Sequence, residues 1–199
     1  MYFSSVIAED RLDFDKIKIE DGLSHISVLD IMQDSKGFIW VGTQYGLNRY
    51  DGYSFEVFNF GVDNQESISS DFILSIFEDS KGLIWVGTSN GLNSYNPTTR
   101  KFKRYLHEES DQSSISNDHI TSITEDSFGF IWIGTAGGGV NRFNKQTNNF
   151  DKIQNNFENQ HQASFITALL IDTNQQLWVA SGNARLRPSI ENGGIFKVN

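Results

Sequence analysis

Read for polarity, the chain spells one short unit several times. "VLDIMQD" (28–34) is a mostly apolar run closed by an acid, and "SKG" breaks it. "FIWVGT" (38–43) and "GLNRYD" (46–51) follow as two more short runs, and "SFEVFNF" (54–60) alternates apolar with polar. Short runs rich in β-branched and aromatic residues predict strands, and the alternation of the last one predicts an outer strand with one wetter face. Gly37 suits the first turn because it tolerates positive φ. No segment sustains a 3.6-residue apolar period, so almost no helix is expected.

The unit recurs with a fixed period. Trp40, Trp85, Trp132 and Trp178 stand 45, 47 and 46 residues apart, each preceded at six residues by Asp34, Asp79, Asp126 or Asp172. Gly42-Thr43, Gly87-Thr88 and Gly134-Thr135 follow the first three, whereas the fourth copy reads Ala180-Ser181. Four short strands in about 46 residues are what one blade of a β-propeller requires, so the predicted fold is an all-β propeller of four-stranded antiparallel blades. The blade units fall near 22–67, 68–114, 115–162 and 163–199, with 1–13 as an N-terminal tail. "DFDKIKI" resembles the fourth strands of later units, so 14–19 is a candidate closing strand for the last blade. Two architectures stay open: a closed four-blade ring, or part of a ring of six to eight blades.

The recurrent residues read as structural, since a catalytic residue is needed once and these occur in every unit. The aspartates can accept backbone N–H bonds across the tight turn. The indoles offer large apolar faces to seal one blade against the next. Gly42, Gly87 and Gly134 allow close approach between sheets.

Composition narrows the function classes. A chain of 199 residues, 38% hydrophobic, can bury a sizeable core. The net charge of -9 repels phosphate backbones, which argues against nucleic acid as a partner. Cysteine is absent, which excludes disulfides and thiolate metal sites. No apolar run approaches the roughly 18 residues of a membrane span, so membrane association would come only through flanking segments. Val6 and Ala8 have the small-residue spacing of an export-signal cleavage site, although no charged or fully apolar region precedes them. An ordinary terminus and the tail of a clipped signal both fit.

Candidate chemistry lies on the face where the fourth-to-first and second-to-third connections should emerge. "VDNQESISSD", "EESDQSSISND" and "NNFENQHQAS" put Asp71, Asp118 and His119 there, and the insertion "SGNARLRPSIENGG" adds Arg185 and Arg187. An insertion that breaks the period costs loop entropy and marks a place to look for binding. Arginine forks suit carboxylates, phosphates and uronic acids, with salt bridges to neighbouring acids as the plainer alternative. His25, His107, His119 and His161 show no metal-ligand spacing, so neither metal nor cofactor is expected. Two residues separate Asp34 from Gly37, one more than the sialidase Asp-box allows. "GTAGGGVNR" joins two strands, which removes the physical basis of a phosphate cradle. No nucleophile stands apart from the repeat, so the chain itself is expected not to be an enzyme.

"GLSHISVLDIMQDSKGFIWVGTQYGLNRYDGYSF" and "ISNDHITSITEDSFGFIWIGTAGGGVNRFNKQTNNF" resemble the two-component regulator propeller repeat, from about Asp21 onward. The fourth copy, "DTNQQLWVAS", departs from it by lacking the turn glycine and the Gly-Thr. The resemblance implies a periplasmic or extracytoplasmic sensor module of a bacterial signalling protein whose kinase or cyclase output lies elsewhere. It implies as partners a glycan fragment or other small extracellular ligand, and homodimerisation. Two other readings remain: a propeller lyase or glycoside hydrolase acting on polysaccharide, and a passive assembly scaffold.

Overall fold

The computed structural model describes residues 13–153, 165–182 and 193–198. Its first sheet is an up-and-down meander of β1 (Val28–Gln33), β2 (Ile39–Thr43), β3 (Gly46–Tyr50) and β4 (Phe55–Phe58). The second repeats it with β5 (Ile73–Glu78), β6 (Ile84–Thr88), β7 (Gly91–Asn96) and β8 (Lys101–Tyr105). The third holds β9 (Ile120–Glu125), β10 (Ile131–Thr135), β11 (Gly139–Asn144) and β12 (Asn149–Lys152). The fourth has three strands among the described residues, β13 (Ile166–Ile171), β14 (Leu177–Gly182) and β15 (Gly193–Lys197). All pairings within these sheets are antiparallel. This is the architecture of propeller blades.

One aspartate per blade builds the first turn. Asp34 accepts Lys36 N and Phe38 N on Oδ1 at 3.0 and 2.9 Å, and the Trp40 indole N–H on Oδ2 at 2.8 Å. Asp79, Asp126 and Asp172 take the same three donors in their own copies. Gly37, Gly82 and Gly129 hold the left-handed position of the turn, with φ of 92°, 76° and 83°. In the fourth copy Gln175 occupies that conformation, at φ 64°, so the turn survives loss of its glycine.

Successive blades pack face to face. Trp40 is fully buried and meets Tyr95 of the second blade edge-on at 5.6 Å, and Trp85 meets Phe143 of the third at 5.5 Å. Each interface closes where an isoleucine seats over a glycine. A Cβ built on Gly42, Gly87 or Gly134 would lie 2.8, 2.7 or 2.5 Å from Cγ2 of Ile73, Ile120 or Ile166 of the next blade. The first strands also bond sideways: Asp30 Oδ2 accepts Ile76 N at 2.7 Å, and Ser122 Oγ accepts Leu169 N at 3.0 Å.

The candidate closing strand 14–19 does not form. Residues 13–18 carry no strand, Ile19–Asp21 is a 3₁₀ turn, and Phe14 is 87% exposed. The cause is local. Lys18 N donates to Asp21 Oδ2 at 2.8 Å, and Gly22, at φ 105°, turns the chain against Phe55 of the first blade rather than toward β15.

Candidate functional site

The connections that enter the first strands are compact loops closed from within. Residues 59–72 are tied by Asp71, whose Oδ1 accepts Phe60 N at 2.7 Å and Asn59 Nδ2 at 3.2 Å, while its carbonyl accepts Gly46 N at 2.8 Å. In the next loop Asp118 Oδ1 accepts His107 N at 2.7 Å, and the Asp118 carbonyl accepts Gly91 N at 2.6 Å. Asp71 and Asp118 are therefore counterparts in the repeat, and each spends a carboxylate oxygen on its own loop. The loops are also pinned from the outer strands. Arg104 donates from Nε to Ser67 O at 2.8 Å and from Nη2 to Asn64 O at 2.7 Å, with its guanidinium 5.2 Å over Phe60.

His119 is half-buried at the start of β9, with its N–H on Asn117 Oδ1 at 2.8 Å and its carbonyl accepting Ala136 N at 2.9 Å. Ser27, Phe72 and Phe165 make the same carbonyl contact in the other blades. This position therefore marks the loop-side end of every first strand, and it carries serine in the first blade, histidine in the third and phenylalanine in the second and fourth. Arg185, Arg187 and His161 lie outside the described residues.

Sequence reasoning missed two features of this face. The first is a buried polar triad. Asn48 accepts Ser24 N on Oδ1 at 2.8 Å and donates from Nδ2 to Ser24 Oγ at 2.8 Å and Val41 O at 3.1 Å, while Ser24 Oγ meets Thr43 Oγ1 at 2.9 Å. Ser69, Thr88 and Asn93 repeat it, and Asn141 holds Ser116 in the same way. The recurring Ser-to-Asn separation of 24 or 25 residues was the available signal. In the fourth blade Phe196 stands opposite Val179, where the others have Asn opposite their valine or isoleucine.

The second is a pair of rings that the repeat does not share. His25 and Tyr45 lie 4.8 Å apart, and Tyr45 is 61% exposed at the tip of the β2–β3 turn. Ser27 N donates to His25 Nδ1 at 3.0 Å, which assigns the proton of the neutral ring to Nε2. The second blade has Ser70 and Asn90 in these places.

The opposite face carries a different cluster. Lys145 Nζ lies 3.0 Å from Asp79 Oδ2 and 2.6 Å from Glu125 Oε1, joining the second and third blades beside a cleft of about 110 Å³ lined by Lys81, Phe128 and Gln146. Burial pulls the Lys145 ammonium down, but its bonds to Glu125 and Asp79 outweigh this and raise it. Among the described residues no three of His, Cys, Asp or Glu converge on a metal position, and no helix is long and apolar enough to cross a membrane.

Segments 22–45, 67–90 and 114–137 match the two component regulator propeller model. These segments are two-component regulator propeller repeats. Over 49 residues, 25% of this chain, the sequence is 49% identical to histidine kinase P4 of Formosa agariphila, of which that stretch is 4%. Among solved structures it is similar to the extracellular domain of BT3049 from B. thetaiotaomicron, described as a hybrid two component system. That likeness has a TM-score of 0.69 at 23% identity, over 86% of this chain and 30% of that one. It is also similar to virginiamycin B lyase from Staphylococcus aureus, with a TM-score of 0.59 at 14% identity, over 86% of this chain and 55% of that one. The chain spans under a third of BT3049's extracellular domain and a small part of the kinase. Both structural likenesses lie in the fold.

Proposed function

We propose that this chain is an extracytoplasmic sensory module of a bacterial signal-transduction protein, binding a glycan fragment or other small extracellular ligand and performing no chemistry itself. The observation that carries the reading is the run of three two-component regulator propeller repeats, one per complete blade. The stretch shared with histidine kinase P4 supports it. The loop face supplies the means, because the invariant positions are spent on structure while His25, Tyr45 and His119 vary from blade to blade. An exposed phenol beside an imidazole N–H offers an apolar face and a donor to a sugar ring. Homodimerisation of the parent protein would bring two such faces into one receptor.

Thermal melting with a panel of neutral and uronic oligosaccharides tests this. A ligand at about 100 times its Kd stabilises by about 2.7 kcal/mol, which is several degrees in a domain of this size. The expected result is a shift with at least one oligosaccharide that Tyr45→Ala or His119→Ala abolishes. No shift across the panel would overturn the reading. Cleavage of an oligosaccharide by the isolated chain would replace it with the lyase or hydrolase reading that the virginiamycin B lyase likeness keeps in view.

A further inference from the structure

On the face opposite Tyr45, the cleft between the second and third blades gathers two departures from the repeat. The first is Phe128. Where the first two blades carry Lys36 and Lys81 in this turn, and the fourth Asn174, the third carries a phenylalanine that is 85% exposed. The second is Lys145. It follows Asn144, whose Oδ1 accepts Gln146 N at 2.9 Å, and the same turn places Pro97 after Asn96 and Gly52 after Asp51. Phe128 and Lys145 line the same cleft of about 110 Å³, together with Lys81, Phe130, Asn144 and Gln146.

The polar groups of this lining hold donors in surplus. An ammonium has three N–H bonds. Lys145 gives one to Asp79 and one to Glu125, and among the described residues nothing accepts the third. The Lys81 ammonium and the Gln146 side-chain amide likewise have no partner among the described residues. The carboxylates behind them are already engaged. Asp79 accepts Lys81 N, Leu83 N and the Trp85 indole besides Lys145, and Glu125 accepts Ser80 N and Oγ at 2.6 and 2.9 Å. A ligand here must therefore bring acceptors. It should carry a single negative charge, because a dianion would face Asp79 and Glu125 with only the unpaired Lys81 to offset it. The apolar part of the cleft is aromatic: Phe130 is held under the Arg142 guanidinium at 4.7 Å, and Phe128 leaves most of its ring open.

We infer that this cleft binds a carboxylate carried on a ring, the chemistry shared by uronic sugars and aromatic acids. The flat face of the ring lies against Phe128, and the carboxylate takes the Lys81 ammonium and the third N–H of Lys145. The volume holds no more than one ring. The site lies on the other face from His25 and Tyr45 and does not rest on the sensing role.

Amide spectra of the isotope-labelled chain, titrated separately with galacturonate, benzoate and neutral galactose, test it. The Lys81, Gly129 and Gln146 amides are expected to shift with one or both acids and to stay in place with galactose, while Ser27 and Tyr45 do not move. Shifts with galacturonate alone assign the site to uronic sugars, and shifts with benzoate alone assign it to aromatic acids. Phe128→Ala and Lys81→Met, both at exposed positions, are each expected to weaken binding about fivefold. Tyr45→Ala is expected to leave it unchanged, which separates this site from the one on the loop face. Absence of shifts at Lys81, Gly129 and Gln146 with both acids would overturn the inference. So would equal binding of galactose, or binding that survives Phe128→Ala and Lys81→Met undiminished.

Discussion

Trp40 gives its indole N–H to Asp34 Oδ2 at 2.8 Å while its ring, fully buried, lies edge-on to Tyr95 of the following blade. One side chain thus fastens the turn of its own blade and the seam to the next. The acid six residues upstream solves the polar problem that a buried indole creates, because an unpaired buried N–H costs about 1–3 kcal/mol. Coupling turn, strand and interface in one pair explains why the spacing recurs unchanged in all four copies.

Removing the indole should therefore cost more where a following blade covers it. Trp85 is 1% exposed, and Trp85→Ala should destabilise by about 3–5 kcal/mol. Trp178 is half-buried, and Trp178→Ala should cost clearly less. Urea unfolding of both variants measures the difference, and equal losses would contradict the seam.

The glycine slots make a separate prediction. Gly87→Ala places a methyl 2.7 Å from Ile120 Cγ2, and overpacking of this kind costs about 1–3 kcal/mol. Gly182, on β14, has nothing within 4 Å, so Gly182→Ala should change stability by less than about 0.5 kcal/mol. The pair of melts separates loss of space from loss of glycine itself.

Much of this was legible in the chain. The strands lie within a residue or two of the runs that spelled them, since short β-branched runs between Gly and Asp turns leave little freedom. The aspartates were read as turn acceptors, but their bond to the indole needed three-dimensional placement, although the constant six-residue spacing hinted at it. The Ser24–Thr43–Asn48 network was missed because polar residues inside strands look like wet faces until both partners are seen buried together. Residues 14–19 have the composition of an outer strand, yet the Lys18–Asp21 turn directs them elsewhere. Asp71 and Asp118 were read as loop chemistry, and only the structure reveals them as counterparts that close their loops.

The cluster around Lys145 sets stability against pH in two directions. Burial raises the Asp79 carboxyl, but the Trp85 indole, Lys145 and the Leu83 and Lys81 amides outweigh it and hold it below its usual range. A depressed carboxyl contributes stability that is present above its unfolded value of about 3.9 and is lost as pH falls through the folded value. The raised Lys145 contributes stability that is present below about 10.4 and is lost as pH rises through its folded value. Lys145→Met should cost about 1–3 kcal/mol near neutrality and remove this group's alkaline loss, leaving a flatter profile above about pH 10. Unfolding by urea across that range checks it, and an unchanged alkaline limb would exclude Lys145 as its source.

Arg104 should govern one loop without governing the fold. Its guanidinium reaches Ser67 O, Asn64 O and Ser67 Oγ at 2.8, 2.7 and 2.6 Å, all in the connection between the first two blades. That loop is held by Gly61 N on Ser67 Oγ and Ser67 N on Asn64 O, bonds that open locally once their anchor is removed. Arg104→Ala should speed amide exchange at Gly61 and Ser67 by about ten- to a hundredfold, the equivalent of about 1–3 kcal/mol, while β6 and β7 exchange as before. Arg142, paired with Asp151 on the surface at 2.8 Å, is the control, and Arg142→Ala should stay within about 0.5 kcal/mol of the parent. Exchange in the 61–68 segment that ignores Arg104→Ala would show that the loop stands without this pin, held by the capping of Asp71 and Ser67 and by the Phe102 N–H donated to Glu66 O.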